Sequence, residues 1–247
     1  MDALTTAAAS GMRARMESLD MLANNIANAS SPGFKVDREF YSLYLSAGSA
    51  DSPEGTSPVT LPVVERQWTD FAQGSITPTA NQSDLALSGK GFFVAASSSG
   101  PVYTRNGSFH LSAQGEIETQ DGYNVQAQDG SAIQLDTTKP FEVAPDGMVR
   151  QDGQDVAQLA IVDLPDTTAL VKQGRSYFRL DSSSLTPAPA AGAQVQQGKL
   201  ETGNTQSAET AVRLVSVMRE FEMLQRAMTI GNDMNKRAVE DVAKVTG

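Results

Sequence analysis

The chain contains no cysteine. Disulfides, thiolate metal sites and cysteine nucleophiles are therefore excluded. It has one histidine, His110. A histidine-rich metal site cannot form, and a Ser-His-Asp triad would have to run through that single residue. Apolar residues make up 40 % and aromatics 6 %, and the longest apolar runs last only a few residues, too short to span a bilayer as a helix. Positive charge is also scarce. With 19 Lys and Arg against 29 Asp and Glu, the formal net charge is −10, which argues against nucleic acid and anionic lipid as partners, since both need clustered basic residues. The opening stretch MDALTTAAASGMRARM has neither a basic n-region nor an apolar h-region. The expectation is a chain without a cleaved secretory signal, either cytoplasmic or exported by a route that reads none.

The 247 residues allow one large domain or two small ones, with enough length for a real core. The two ends resemble each other and differ from the middle. Met12, Met16, Leu19, Leu22 and Ile26 recur at helical spacing, with Arg13, Glu17, Asp20 and Asn24 on the opposite face. This predicts a helix from about Ala3 to Asn28, stopped by Ser31-Pro32-Gly33. From Ser207 to Val245 a second helix is predicted, with one stripe of Val217, Phe221, Leu224 and Met228. A second, rotated stripe holds Ala227, Ile230, Met234, Ala238 and Val242. Neither end shows the sustained heptads of a simple coiled coil. Two ordinary core helices of a globular domain would give the same pattern.

The middle carries turn dipeptides at Asn106-Gly107, Asp121-Gly122, Asp129-Gly130, Asp146-Gly147 and Asp152-Gly153, which suit tight hairpins. Short β-prone runs separate them: Gly91–Ala95, Pro101–Thr104, Ser108–Leu111, Glu116–Thr119, Tyr123–Gln126 and Leu159–Val162. No helical crossover interrupts them, so the sheet is expected to be antiparallel. Gly48–Pro62 and Ser182–Gly192 are rich in Pro, Ser, Ala or Gly and read as linker and surface loop. The fold class expected is mainly β with α-helical termini: an antiparallel β domain over 76–204, an extended linker over 31–75, and a terminal helical assembly domain from 1–30 with 205–247.

Tests for chemistry fail. Gly89-Lys90-Gly91 is not a phosphate loop, because position 84 is Asp and position 91 is Gly. His110 lies in an alternating strand with no GxSxG elbow elsewhere. The aspartates of the turn dipeptides have local reasons to exist and do not follow the calcium-loop pattern. A two-carboxylate hydrolase is not formally excluded by composition. No catalytic residue, cofactor or metal is assigned, and three N-x-S sequons at Asn28, Asn81 and Asn106 carry no meaning without a secretory signal.

The segment ANNIANASSPGFK, from Ala23 to Lys35, resembles the N-terminal signature of bacterial flagellar axial proteins, the rod and hook family. Leu85–Gly130 resembles that family's central β region through its GKGFF strand, YTRNGSF hairpin and GEIETQDGY return strand. Leu200-Glu201-Thr202-Gly203-Asn204, leading into MREFEMLQRAM, resembles the family's entry to the C-terminal helix, with Gly203 where Ser is usual. Within the family, the length is similar to rod subunits rather than the hook protein. The proximal rod type is favoured, with the distal type as the alternative.

The resemblance implies a structural subunit of the flagellar basal-body rod, not an enzyme. It implies export as an unfolded chain by the flagellar type III apparatus and polymerisation through the terminal helices. The implied partners are other rod subunits and further copies of itself, with no nucleic acid and no small-molecule substrate. The residues assigned to the assembly interface are Leu19, Leu22, Asn24, Asn25, Ile26, Asn28, Val217, Phe221, Leu224 and Met228. For Asn24, Asn25 and Asn28, capping of the helix and bridging to a neighbour both stay open. Two other function classes stay open, a peptidoglycan hydrolase and a ligand-binding β domain. The first lacks any marked acidic cleft, and the second leaves the terminal helices without a task.

Overall fold

A computed structural model describes residues 3–45, 60–181 and 186–245. The expected linker therefore lies outside the described residues up to 59, and so does the start of the loop beginning at Ser182. The chain divides into two compact units, one of 1–27, 37–69 and 206–247, the other of 28–36 and 70–205.

Unit 1 contains α1 (Ala3–Ala27), the hairpin strands β1 (Asp37–Leu45) and β2 (Thr60–Thr69), and α2 (Ser207–Val245). Both helices are free of proline, and α1 is rich in alanine, the strongest helix former. With 39 residues, α2 is roughly 58 Å long at 1.5 Å per residue. Glu209 in its first turn and Lys244 in its last complement the helix dipole. The strands β1 and β2 are antiparallel, in register from Asp37 opposite Thr69 to Leu45 opposite Thr60, with a bulge at Phe40/Tyr41. Within the stretch expected as linker over 31–75, the described residues 37–45 and 60–69 pair as strands. Phe40, Tyr41, Tyr44, Val63, Val64 and Trp68 are the strand-favouring residues behind that pairing.

The helices of unit 1 run antiparallel. Arg15 Nε meets Glu220 Oε2 at 2.9 Å, while Met21 and Leu22, later in α1, pack on Val217, earlier in α2. Leu19 and Leu214 flank that contact. Among the described residues this is a small core.

Unit 2 is antiparallel throughout. Its main sheet runs in the order Leu170–Gln173, Tyr177–Leu180, Gly100–Thr104, Phe92–Ser97, Asn124–Val125, Ile117–Thr119 and Phe109–Leu111. Ile161–Asp163 also pairs with Phe92–Phe93. A three-stranded meander follows over Phe141–Val143, Met148–Gln151 and Gln154–Gln158. Two pairings bring late chain onto early chain: Gln194–Gln197 on Leu85–Ser88, and Lys199–Glu201 on Ile76–Pro78. One core gathers around Phe93, Phe109, Leu85, Leu87 and Val149, with Phe93 and Phe109 edge to face at 5.2 Å. A second gathers around Phe92, Tyr103 and Phe178.

The turn dipeptides differ in kind. Asp152 and Gly153 both have positive φ, 54° and 75°, between paired Gln151 and Gln154, as a two-residue hairpin turn requires. Asn106, Asp129 and Asp146 instead accept a backbone N–H two residues on, from Ser108, Ser131 and Met148. Gly107 lacks the positive φ expected of it. A Cβ there would overlap the Leu85 carbonyl oxygen, so close approach of two backbones, not turn handedness, demands glycine.

Candidate functional site

On α1 the buried face is Gly11, Ala14, Ser18, Met21, Leu22 and Asn25. It is rotated by roughly 100°, about one residue of helix, from the apolar stripe expected from the sequence. Met16, assigned to that stripe, is exposed; Leu19 and Ile26 are half-buried. The reason is that α1 carries two neighbours. Small residues at 11, 14 and 18 permit close approach, and two polar ones hold the hairpin. Ser18 Oγ lies 2.8 Å from Glu39 Oε2, and Arg213 donates to the other oxygen of that buried carboxylate at 3.3 Å. Asn25 accepts the Asp37 N–H at 3.0 Å and donates to the Asp37 carbonyl at 2.8 Å. Its amide thus bonds the start of β1 within the unit. Asn24 is exposed, and Asn28 is half-buried with its carbonyl accepting the Ser31 N–H. The outward face holds Ala9, Arg13, Met16, Asp20, Ala23, Asn24 and Ala27.

On α2, Leu214, Val217, Phe221, Leu224 and Met228 are buried or half-buried, and Leu214 and Val217 meet Leu22 within the chain. At 100° per residue, Val212, Met223, Ile230 and Met234 fall on another line roughly 140° away. They are exposed by 69, 60, 60 and 65 %. Exposed Arg219, Arg226 and Arg237 flank this outer line. Ala238 and Val242, the end of the second expected stripe, have side chains outside the described set. Single exposed apolar residues need no explanation, but four on one line over six turns do.

Unit 2 holds a buried charge cluster. Lys35 and Glu201 are 0 % exposed and Arg105 is 4 %. Lys35 Nζ donates to Glu201 Oε1 at 2.6 Å and to the Ala72 carbonyl at 2.8 Å. Arg105 donates to Glu201 Oε2 at 3.1 Å and to the carbonyls of Leu87 and Gly89 at 3.3 and 2.5 Å. The Gly74 N–H donates to Glu201 Oε1 at 2.9 Å. Two cations thus share one carboxylate. Burial pushes both Lys35 and Arg105 below their ordinary pKa values, against the opposing pull of Glu201. Around the cluster, Gly33 donates to the Glu201 carbonyl at 2.7 Å with φ +66°, and a side chain there would overlap the backbone of Arg105 and Asn106. Asn204 accepts from Val36 N–H and donates to the carbonyls of Asp70 and Ala72. Lys35, Arg105 and Glu201 each lie inside one of the three family-like strings, and nothing in the sequence links them.

Among the described residues, no three His, Asp or Glu side chains are placed to hold a metal ion, and no helix is long and apolar enough to cross a membrane. A surface cleft of about 560 Å³ is lined by Gln128, Asp129, Gln134 and Gln158. The Ser131 hydroxyl and N–H hold the Asp129 carboxyl below its ordinary range, the opposite of what a general acid needs.

Three family profiles match the chain. The flagellar basal body rod protein profile covers residues 6–35, the flagellar hook protein FlgE/F/G D1 domain 86–151, and the FlgEFG C-terminal profile 196–240. Each segment supplies one member of the buried cluster: Lys35, Arg105 and Glu201. Among curated proteins, the flagellar basal-body rod protein FlgF of Caulobacter vibrioides is 33 % identical over 92 % of both chains. FlgG of the same bacterium is 30 % identical over 95 % of this chain and 97 % of its own. FlgG of Bacillus subtilis is 28 % identical over 93 and 95 %. Helical ends, an antiparallel β unit, family signatures that meet in the buried cluster and near full-length similarity lead to one conclusion: the chain belongs to the flagellar basal-body rod protein family.

Proposed function

We propose that the chain is a non-catalytic structural subunit of the basal-body rod, of the proximal FlgF type. On this reading it is exported by the flagellar type III apparatus and polymerises through the outward faces of its terminal helices. The observation that carries the assembly reading is the outer line of α2, Val212, Met223, Ile230 and Met234, which stands exposed among the described residues. Its chemistry suits the outward face of α1 in a second copy. That face offers small Ala9, Ala23 and Ala27, beside Met16, with Asp20 available to Arg219 or Arg226. A contact between two different faces does not close on itself and builds a helical filament. The inner residues Leu22 and Val217 form the intrachain seam instead, and Phe221, Leu224 and Met228 continue the same face.

The test is Ile230→Asp in the cell. An exposed monomer residue is expected to change folding stability by no more than about 0.5 kcal/mol, while burying that charge in the rod costs several times more. The expected strain exports the chain at normal levels yet builds no rod beyond its point of entry by electron microscopy, and does not swim. Normal rods and swimming in that strain would overturn the assignment of the outer line.

A further inference from the structure

Replacing a buried ion cluster by apolar residues of similar size is often neutral or stabilising, whereas removing one partner is costly. The Lys35–Glu201–Arg105 cluster is therefore a poor device for adding stability. It does make closure conditional. Lys35 and Arg105 arrive 166 and 96 residues before Glu201, and both are enclosed by unit 2. Without Glu201 they either stay hydrated, which holds the surrounding shell open, or are buried without a counter-charge. The same late segment supplies several other closing bonds. Gly33 N–H and Gly74 N–H both bond Glu201, Thr202 N–H bonds the Ser75 carbonyl, and Lys199–Glu201 pairs with Ile76–Pro78.

We propose that this cluster is a completion lock: unit 2 cannot close around Lys35 and Arg105 until the strand Lys199–Glu201 has docked. A chain delivered N-terminus first then remains open until nearly all of it has arrived. That would keep it pliable in a narrow channel, a use that rests on the export reading. The order of folding does not, since every residue of the lock lies in unit 2 and none in the helices.

The test is pulsed hydrogen exchange during refolding of the full chain from denaturant. Amides of Phe92–Ser97 and Gly100–Thr104 are expected to gain protection no earlier than those of Lys199–Glu201. In the apolar variant Lys35→Met/Arg105→Met/Glu201→Leu, the central strands are expected to gain protection first. In full-length Glu201→Gln, which leaves two buried cations unpaired, equilibrium protection of Val94 and Tyr103 is expected to fall at least about a hundredfold. Lys35→Met, which leaves a balanced Arg105–Glu201 pair, is expected to lose far less. The lock is refuted by central strands protected before Lys199–Glu201 in the unaltered chain, or by an apolar variant with unchanged order. Comparable protection in Glu201→Gln and Lys35→Met refutes it too. If the apolar variant does not fold, the order in the unaltered chain and the asymmetry of the two single variants decide.

Discussion

Unit 2 and unit 1 solve burial in different ways. Unit 2 buries Phe93, Phe109 and Phe178 fully, and its buried Lys35 and Arg105 are both paired with Glu201 within the unit. Among the described residues, unit 1 has a core of Met21, Leu22 and Val217 with two flanking leucines, and leaves Val212, Met223, Ile230 and Met234 exposed. Isolated helices draw most of their stability from packing. On the proposed reading, a unit built this way is completed by something beyond the chain, and a unit built like the other is not.

The sharpest way to break the contrast is to damage each core separately. Phe93→Ala removes a buried ring packed on Phe109 and is expected to destabilise unit 2 by about 3–5 kcal/mol. Calorimetry should show the loss in the β transition. Leu22→Ala empties part of a much smaller core. Its expected cost is about 2 kcal/mol, the lower end for such changes, with loss of helical circular dichroism on mild heating and an unchanged β transition. Equal damage to both transitions from either variant would mean that the two units share one cooperative core.

Asn25→Ala sharpens the comparison further. It deletes two bonds to the Asp37 backbone and leaves a buried N–H and carbonyl wanting, at about 1–3 kcal/mol. Faster amide exchange is expected at Asp37 and its neighbours in β1, with unit 2 unaffected. No change there would return Asn25 to a role between subunits.

The smallest effect is electrostatic. The Thr138 hydroxyl and N–H hold the Asp136 carboxyl below its ordinary value of 3.8. A carboxyl depressed by folding stabilises the fold above its unfolded pKa, and that contribution is lost as pH falls through the folded one. Asp136→Ala should therefore lower the melting temperature slightly at neutral pH, and the difference should shrink as pH falls through the lowered folded value. A difference that persists undiminished at pH 2 would place the cause elsewhere.

Much of this was legible in the residues. The short runs around Phe92, Tyr103, Phe109, Ile117 and Ile161 became strands, because β-prone side chains between turn residues leave the chain few alternatives. Both terminal helices were equally clear from their periodicity. Which face of α1 is buried was not. Periodicity reports where apolar residues lie, whereas Ser18 and Asn25 face inward to bind the hairpin. The hairpin itself was hidden because Pro, Ser and Gly between its strands suggested a linker. The charge cluster was invisible for another reason: Lys35, Arg105 and Glu201 are scattered along the sequence, and only the strand pairings of unit 2 bring them together.

The absence of cysteine makes the central claim directly measurable, since any introduced thiol is unique. Single variants Ile230→Cys on the outer line of α2 and Val217→Cys on its inner face would be treated with a maleimide, first as monomer and then in assembled basal bodies. The account predicts that position 230 reacts freely in the monomer and is shielded in the rod, while position 217 is shielded in both. Equal reactivity of position 230 before and after assembly would contradict it.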